Sequence, residues 1–248
     1  MAGVRFESKR QSGHLSDSSR GWRDGTVDTN PGNDFGPSWP PDGKEIVFYS
    51  FRNRNRDLFL MSADGSAERQ LTATPGNERF PDWSPDGRRL VFQSSQPDKS
   101  VVALLTRTAN GGWEATKDLA TPGGYPRWSL DGRLIAYPVA GGLRVVSLEG
   151  GAPRVLVESK DPAVLPQPRF AAWSRDSQTV YYKAYDADQR SSIWAVPAAG
   201  GTPTLLVTFD DPARPSPRGE FATDGQRFFF TIGHAESDIF VMDVRKTQ

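Results

Sequence analysis

Apolar residues in this chain come in short runs, not in helical stripes. One set of runs is Ile46-Val-Phe-Tyr49, Leu90-Val-Phe92, Leu134-Ile-Ala-Tyr137, Val180-Tyr-Tyr182 and Phe228-Phe-Phe-Thr231. A second set follows them: Leu58-Phe-Leu-Met61, Val102-Ala-Leu-Leu105, Leu143-Arg-Val-Val146, Ile193-Trp-Ala-Val196 and Ile239-Phe-Val-Met242. A third, shorter set closes four of the units: Gln70-Leu-Thr72, Asp118-Leu-Ala120, Val155-Leu-Val157 and Leu205-Leu-Val207. The runs are rich in β-branched and aromatic residues and are bounded by Gly, Pro, Asn and Asp, which is how strands read. No stretch of about eleven residues carries an apolar stripe of helical period, so no helix is predicted.

A recurring phrase sets the phase of these runs. It reads Trp39-Pro-Pro-Asp-Gly43, Trp83-Ser-Pro-Asp-Gly87, Trp128-Ser-Leu-Asp-Gly132, Trp173-Ser-Arg-Asp-Ser177 and Phe221-Ala-Thr-Asp-Gly225, at spacings of 44, 45, 45 and 48 residues. With the strand that enters the Trp, each unit predicts four antiparallel strands in a meander. Such a sheet cannot bury both of its faces alone, and radial stacking of the sheets buries them against one another. The predicted fold class is therefore all-β: a β-propeller of four-stranded antiparallel blades, five recognisable blades plus a partial sixth at the N-terminus. The partial blade is Val4-Arg-Phe-Glu-Ser8, expected to pair near Ile239–Val244 because the last copy lacks its fourth strand. Residues 1–33, polar and unpatterned from Gln11 to Asn33, form a degenerate blade or N-terminal arm, and residues 34–248 form the propeller.

The phrase itself is turn chemistry. In Ser84-Pro85-Asp86-Gly87, Ser starts a type I turn, Pro fits the second position and Gly the fourth. The Asp is present in all five copies, as Asp42, Asp86, Asp131, Asp176 and Asp224. Its carboxylate is expected to accept a nearby backbone N–H, which leaves no need for a metal ring. No metal and no cofactor are expected.

Composition narrows the function. The 248 residues carry 30 basic and 30 acidic side chains, a net charge of zero, so the field that draws a domain to nucleic acid or anionic lipid is missing. There is no Cys, hence no disulfide, thiolate metal site or Cys nucleophile. The longest mostly apolar stretch, Leu134 to Leu143, is interrupted by Pro138 and two Gly and falls short of the roughly 18 residues of a spanning helix. No signal peptide is read at the start. The chain is either cytoplasmic or a mature or shortened piece of a longer one.

Taken together, Trp-Ser-Pro-Asp-Gly, an apolar strand, Ser-x-Arg, Leu-Tyr-x-Met-x-x-Asp-Gly and Arg-x-Leu-Thr resemble the repeat of the TolB-like β-propeller family. The best copy runs from Trp39 to Thr72, with Phe48-Tyr-Ser-Phe-Arg52, Asp57-Leu-Phe-Leu-Met61, Asp64-Gly65 and Arg69-Gln-Leu-Thr72. The resemblance covers roughly residues 34 to 244 and is specific for fold, not for activity. It implies a periplasmic or extracytoplasmic protein that binds a protein or peptide partner, with the cytoplasm as the alternative. It also implies a second reading, the gating propeller of a prolyl-oligopeptidase-like peptidase whose catalytic domain is not in this chain.

Motifs for chemistry are sparse. There is no Gly-x-Ser-x-Gly elbow and no phosphate-binding Gly-rich loop, and His14 and His234 stand alone. No catalytic residue is expected, and the protein is read as non-enzymatic, with no nucleic-acid partner and no membrane insertion. Arg52, Arg54 and Arg56 are expected at a solvated hairpin tip, with an anion patch as the alternative. Trp113 is expected either to pack on its own blade or to anchor a partner. The candidate binding residues stand near the repeat Trp: Phe80, Tyr125 and Phe170 three positions before it, with Arg79, Arg127 and Arg169 beside them. In a TolB-like propeller that strand is the innermost, so these six either pack between blades, with the Arg satisfying buried carbonyls, or line a channel mouth able to hold a peptide carboxylate, a sugar or a partner segment. The Arg offsets differ, with Arg127 one residue before its Trp and the others four, so they do not all share a face.

Overall fold

The computed structural model describes residues 34–243, except 53, 115, 162–164, 212–214, 217–218, 225 and 233–237. The partial sixth blade, the N-terminal arm and the pairing of Val4–Ser8 lie outside the described residues, as do His14 and His234.

Among the described residues nineteen strands form five antiparallel sheets, each a meander in sequence order. Blade 1 is β1 (Asp34–Ser38), β2 (Glu45–Ser50), β3 (Asp57–Ser62) and β4 (Arg69–Gln70). Blade 2 is β5 (Asn77–Trp83), β6 (Arg89–Ser95), β7 (Ser100–Thr106) and β8 (Lys117–Ala120). Blade 3 is β9 (Arg127–Trp128), β10 (Leu134–Val139), β11 (Gly142–Ser147) and β12 (Arg154–Glu158). Blade 4 is β13 (Gln167–Trp173), β14 (Thr179–Tyr185), β15 (Ser191–Pro197) and β16 (Thr204–Phe209). Blade 5 is three-stranded, β17 (Phe221–Thr223), β18 (Arg227–Ile232) and β19 (Asp238–Asp243). The described residues contain no helix. The fold is the all-β propeller that the repeat predicts, with five blades among the described residues.

The core is a series of seams between blades. Side chains alternate across a strand, and here both faces are buried. On β6, Leu90 and Phe92 pack with Val47, Leu58 and Leu60 of blade 1, while Val91 packs with Ile135 and Tyr137 of blade 3. On β10, Ala136 turns the other way, to Val180 and Tyr182 of blade 4. Ile193 and Val207 of blade 4 meet Phe228 and Phe230 of blade 5. The first strands of successive sheets touch one another, β1 with β5, β5 with β9, β9 with β13 and β13 with β17. They are the inner strands.

The turn phrase does what its residues dictate. The closing N–H of the turn bonds back in four copies: Gly43 N to Pro40 O (3.0 Å), Gly87 N to Ser84 O (2.9 Å), Gly132 N to Ser129 O (2.9 Å) and Ser177 N to Ser174 O (3.0 Å). The fourth residue has positive φ, between 59° and 74° across these copies, which suits Gly and costs Ser177 some strain. All five Asp carboxylates accept a backbone N–H two residues on: Lys44 (3.1 Å), Arg88 (3.0 Å), Arg133 (3.1 Å), Gln178 (3.0 Å) and Gln226 (2.9 Å). The bonds from Gln226 and Arg227 hold the Asp224 carboxyl below the usual carboxylate range. Where Ser opens the phrase, its hydroxyl donates to the Asp and accepts the N–H that starts the next strand, at 2.9 Å for Arg89, Leu134 and Thr179.

The repeat Trp closes the seams. Trp83, Trp128 and Trp173 are each buried in the cluster shared with the preceding blade. Trp128 donates its indole N–H to Asp82 O (3.1 Å) and its backbone N–H to Asp82 Oδ2 (2.8 Å), and Trp173 donates its indole to Arg127 O (2.9 Å). The Trp83 indole N–H is buried with no such partner. Trp39, at the first copy, departs from this role and is 48% exposed. Replacing Trp by Phe removes the same volume at each seam but removes a hydrogen bond only where one exists. Urea unfolding should therefore find Trp173→Phe about 1 kcal/mol more destabilising than Trp83→Phe; equal losses would mean that the indole bonds add nothing to the seams.

Candidate functional site

Three residues before the repeat Trp, the inner strand bulges. The register of β1 with β2 shifts between Phe35 and Ser38, that of β5 with β6 between Arg79 and Asp82, and that of β13 with β14 between Pro168 and Phe170. A bulge re-aims a side chain. Phe80 (φ 55°) and Tyr125 (φ 47°) adopt left-handed backbone at this position and precede Pro81 and Pro126. Such a conformation in a bulky residue costs about 1–3 kcal/mol and persists only where surrounding contacts outweigh it.

Those contacts are rings. Phe35 stacks on Tyr49 (centroids 5.5 Å apart), Tyr49 meets Phe80 edge-on (5.4 Å), Phe80 stacks on Tyr125 (3.9 Å) and Tyr125 meets Phe170 edge-on (4.6 Å). In blade 1 the equivalent position is Gly36 (φ +57°), where a Cβ would stand 2.7 Å from the Tyr49 ring. Tyr49, from the second strand, takes the place that an inner-strand aromatic holds in blades 2 to 4. At the far end the Phe170 ring lies against Gly219, whose added Cβ would fall 1.7 Å from it. The structure thus brings the three predicted aromatics into one continuous row across four blades.

Charged and phenolic groups gather beside this row. Burial raises the Tyr49 hydroxyl above its ordinary value, against the lowering pull of Arg79 and Arg56, while Tyr125 and Glu220 raise it. Tyr185 is pushed up to about 12 by burial and by Glu220, with Arg169 pulling down. Both therefore stay protonated hydrogen-bond donors at neutral pH. Arg56, Arg79, Arg169 and Glu220 come from blades 1, 2, 4 and 5, and none of the four is in an ion pair among the described residues. Arg79 reaches only Ser95 Oγ (3.4 Å), and its Nε is buried without a partner.

Arg127 departs from this arrangement. Its guanidinium stands 4.0 Å from Asp82 and donates to Pro126 O (3.2 Å), on the seam of blades 2 and 3, as its different offset allows. Arg52 is not a solvated hairpin tip either. It is bonded to Asp34 (2.9 Å) and Glu68 and lies over the rings of Phe48 and Phe59. Trp113 packs on Trp83 of its own blade, with the Arg107 guanidinium against both rings. Sequence reading missed Tyr49, Tyr185 and Glu220, and named Arg56 only as part of a hairpin tip or anion patch. Tyr49 and Tyr185 stand at the ends of strand runs and read only as core, and nothing in the sequence marks Glu220 as acting on them.

A buried Lys–Ser pair lies on the seam of blades 4 and 5. Lys183 Nζ donates to Ser216 Oγ (2.6 Å) and Ser216 O (2.9 Å). Burial lowers the lysine to about 8, against the opposing pull of Glu220. Ser216 Oγ gives its proton to Thr231 O (2.6 Å), so the hydroxyl is committed to a carbonyl and both side chains are inaccessible. This is a structural tie and not an activated nucleophile.

The class is a β-propeller built of Trp-Ser-Pro-Asp-Gly modules. The family model of the TolB beta propeller domain matches residues 1–141, more than half of the chain, and the chain belongs to that family. Among solved structures it is similar to the putative TolB of Agrobacterium tumefaciens, with TM-score 0.66, 19% identity, 86% of this chain and 78% of that one covered. It is similar to TolB of Acinetobacter baumannii, with TM-score 0.59, 16% identity and 81% of this chain covered; the match spans about half, 51%, of that protein. It is also similar to a Mycobacterium tuberculosis puromycin-hydrolyzing peptidase, with TM-score 0.61, 16% identity, 86% of this chain and 36% of that one. These are likenesses of fold. No curated protein sequence matches significantly.

The aromatic row makes a measurable statement about the site's rigidity. A double-mutant cycle of Phe80→Leu with Tyr125→Leu should give a coupling of about 0.5–1.5 kcal/mol in urea unfolding. The pair Phe35→Leu and Phe170→Leu, at the two ends of the row, should be additive. Additivity in both cycles would show that the rings share no stabilising contact.

Proposed function

We propose that this chain is a non-enzymatic interaction propeller whose inner mouth binds a protein or peptide partner. The observation that carries the reading is the row of rings from Phe35 through Tyr49, Phe80 and Tyr125 to Phe170, with Arg79 and Arg56 acting on the Tyr49 phenol and Arg169 on that of Tyr185, none of these three Arg in an ion pair among the described residues. Three guanidiniums against the one carboxylate of Glu220 favour an anionic group, and guanidinium with phenol donors suits a carboxylate. The ring faces beside them offer an apolar surface for the rest of an extended segment. Arg127 contributes to the seam that holds the mouth, and Phe80, Tyr125 and Phe170 to its floor. The same reading assigns the protein to the periplasm or another extracytoplasmic space, with the cytoplasm as the alternative.

A second reading is favoured by the fold likeness to the puromycin-hydrolyzing peptidase, of which the match spans 36%. On it, this propeller gates a peptidase domain carried elsewhere, and the mouth admits peptides instead of retaining them.

The two readings separate in one measurement. A random peptide library with free C-termini is panned against the protein and against the Arg79→Gln/Arg169→Gln variant. The interaction reading expects retained peptides rich in carboxylates, bound at least about tenfold more weakly by the variant. Retention of no peptide favours the gate, and equal binding by both proteins sinks the assignment of the mouth.

A further inference from the structure

Two carboxylates are buried together where blade 1 meets blade 2. Asp57 opens β3 and Glu78 lies in β5, with 1% and 0% of their surfaces exposed. Asp57 accepts from Gln70 Nε2 (3.0 Å) and, at the limit of bonding, from Asn55 Nδ2 (3.5 Å). Glu78 Oε1 accepts from Thr74 Oγ1 (2.7 Å) and Ser94 Oγ (3.0 Å). Its other oxygen, Oε2, is buried with no hydrogen-bond partner. Thr74 and Asn55 link the two carboxylates: the Thr74 hydroxyl donates to Glu78, and the Thr74 carbonyl accepts from the Asn55 amide that borders Asp57.

The charged groups of this corner do not neutralise the pair. Arg52 is taken by Asp34 and Glu68. Arg56 lies over Phe51, and Arg79 reaches Ser95; both act on Tyr49 at the mouth. Neither carboxylate is in an ion pair among the described residues, and no charged side chain of β6 or of the 71–76 loop bonds to either. Two anions cannot be sunk side by side without a counter-charge or a proton. The surrounding backbone is tied across the same seam, by Glu78 N to Arg56 O (2.7 Å), Arg56 N to Asn77 Oδ1 (3.1 Å) and Asn55 Nδ2 to Thr74 O (2.6 Å) and Gly76 O (2.9 Å).

We propose that one proton shared between Asp57 and Glu78 closes the seam between the first two blades, and that the seam loosens when the proton leaves. The shared O–H supplies the donor that Glu78 Oε2 lacks. Burial, and then the charge and hydrogen bond of Glu78, push Asp57 up to about 6. The folded chain thus holds a proton that an unfolded aspartate has already lost. Stability from this source is full below the ordinary aspartate range and is lost as pH rises through about 6.

Asp57→Asn tests the proposal, since an amide N–H donates to Glu78 Oε2 at every pH. From about pH 5 to about pH 8 the wild-type melting temperature should fall by about 5 °C relative to that of the variant, and the variant should be the more stable of the two at the upper end. Parallel curves for the two proteins would overturn the proposal. Calcium raising the wild-type melting temperature at neutral pH, but not that of the variant, would overturn it as well, because a cation would then fill the role given to the proton. Should Asp57→Asn not fold, infrared spectra of the wild type decide: a buried carboxylic-acid band at about pH 5 that is gone by about pH 8 supports the shared proton, and no band at the lower pH refutes it.

Discussion

The sheets of blades 1 to 4 each have two apolar faces, and that constraint governs the rest. Leu90 and Phe92 point one way from β6 and Val91 the other, and each is fully buried. No single blade satisfies both sides, so a blade is stable only between neighbours. The seams are therefore the core, and whatever breaks a seam acts on the fold as a whole. Features that look local in sequence, such as the repeat Trp or an Asp opening a strand, are found at seams for this reason.

The fold was legible because one phrase does two jobs. Its Asp and Gly make a tight turn whose bonds are local, so composition alone reveals it. Its Trp fills the seam with the blade before, so its recurrence also reports the assembly. The site was only partly legible. Phe80, Tyr125 and Phe170 share an offset from the Trp, and the structure unites them in one row. Arg127 lies at another offset and turns to Asp82. Tyr49 joins the row from a second strand only because Gly36 leaves room for it, a substitution between strands that no periodicity records. The Asp57–Glu78 pair was hidden for a similar reason. Twenty-one residues apart, the two meet only when β5 docks on β3.

The inner strands carry the unusual backbone. Positive φ at Phe80 and Tyr125, each before a Pro, is unfavourable in an isolated chain. The rings that this geometry turns inward stack on one another, and the stack in turn fixes the bulges. Rigidity at the axis thus comes from strain and ring contact held in balance. Side chains placed on such strands are positioned without a loop having to order, which lowers the entropic cost of engaging a flexible partner.

The indole bonds point one way along the chain. Trp128 reaches back to Asp82 and Trp173 reaches back to Arg127, so each blade leans on its predecessor. Removal of a module from the carboxyl end strips a cover from the one before it but strands no indole donor. The array consequently has a direction: at the joints of blades 2 with 3 and 3 with 4 the later blade carries an indole donor that is left without its acceptor when the earlier blade is lost, whereas at the joint of blades 1 and 2 Trp83 has no acceptor to lose.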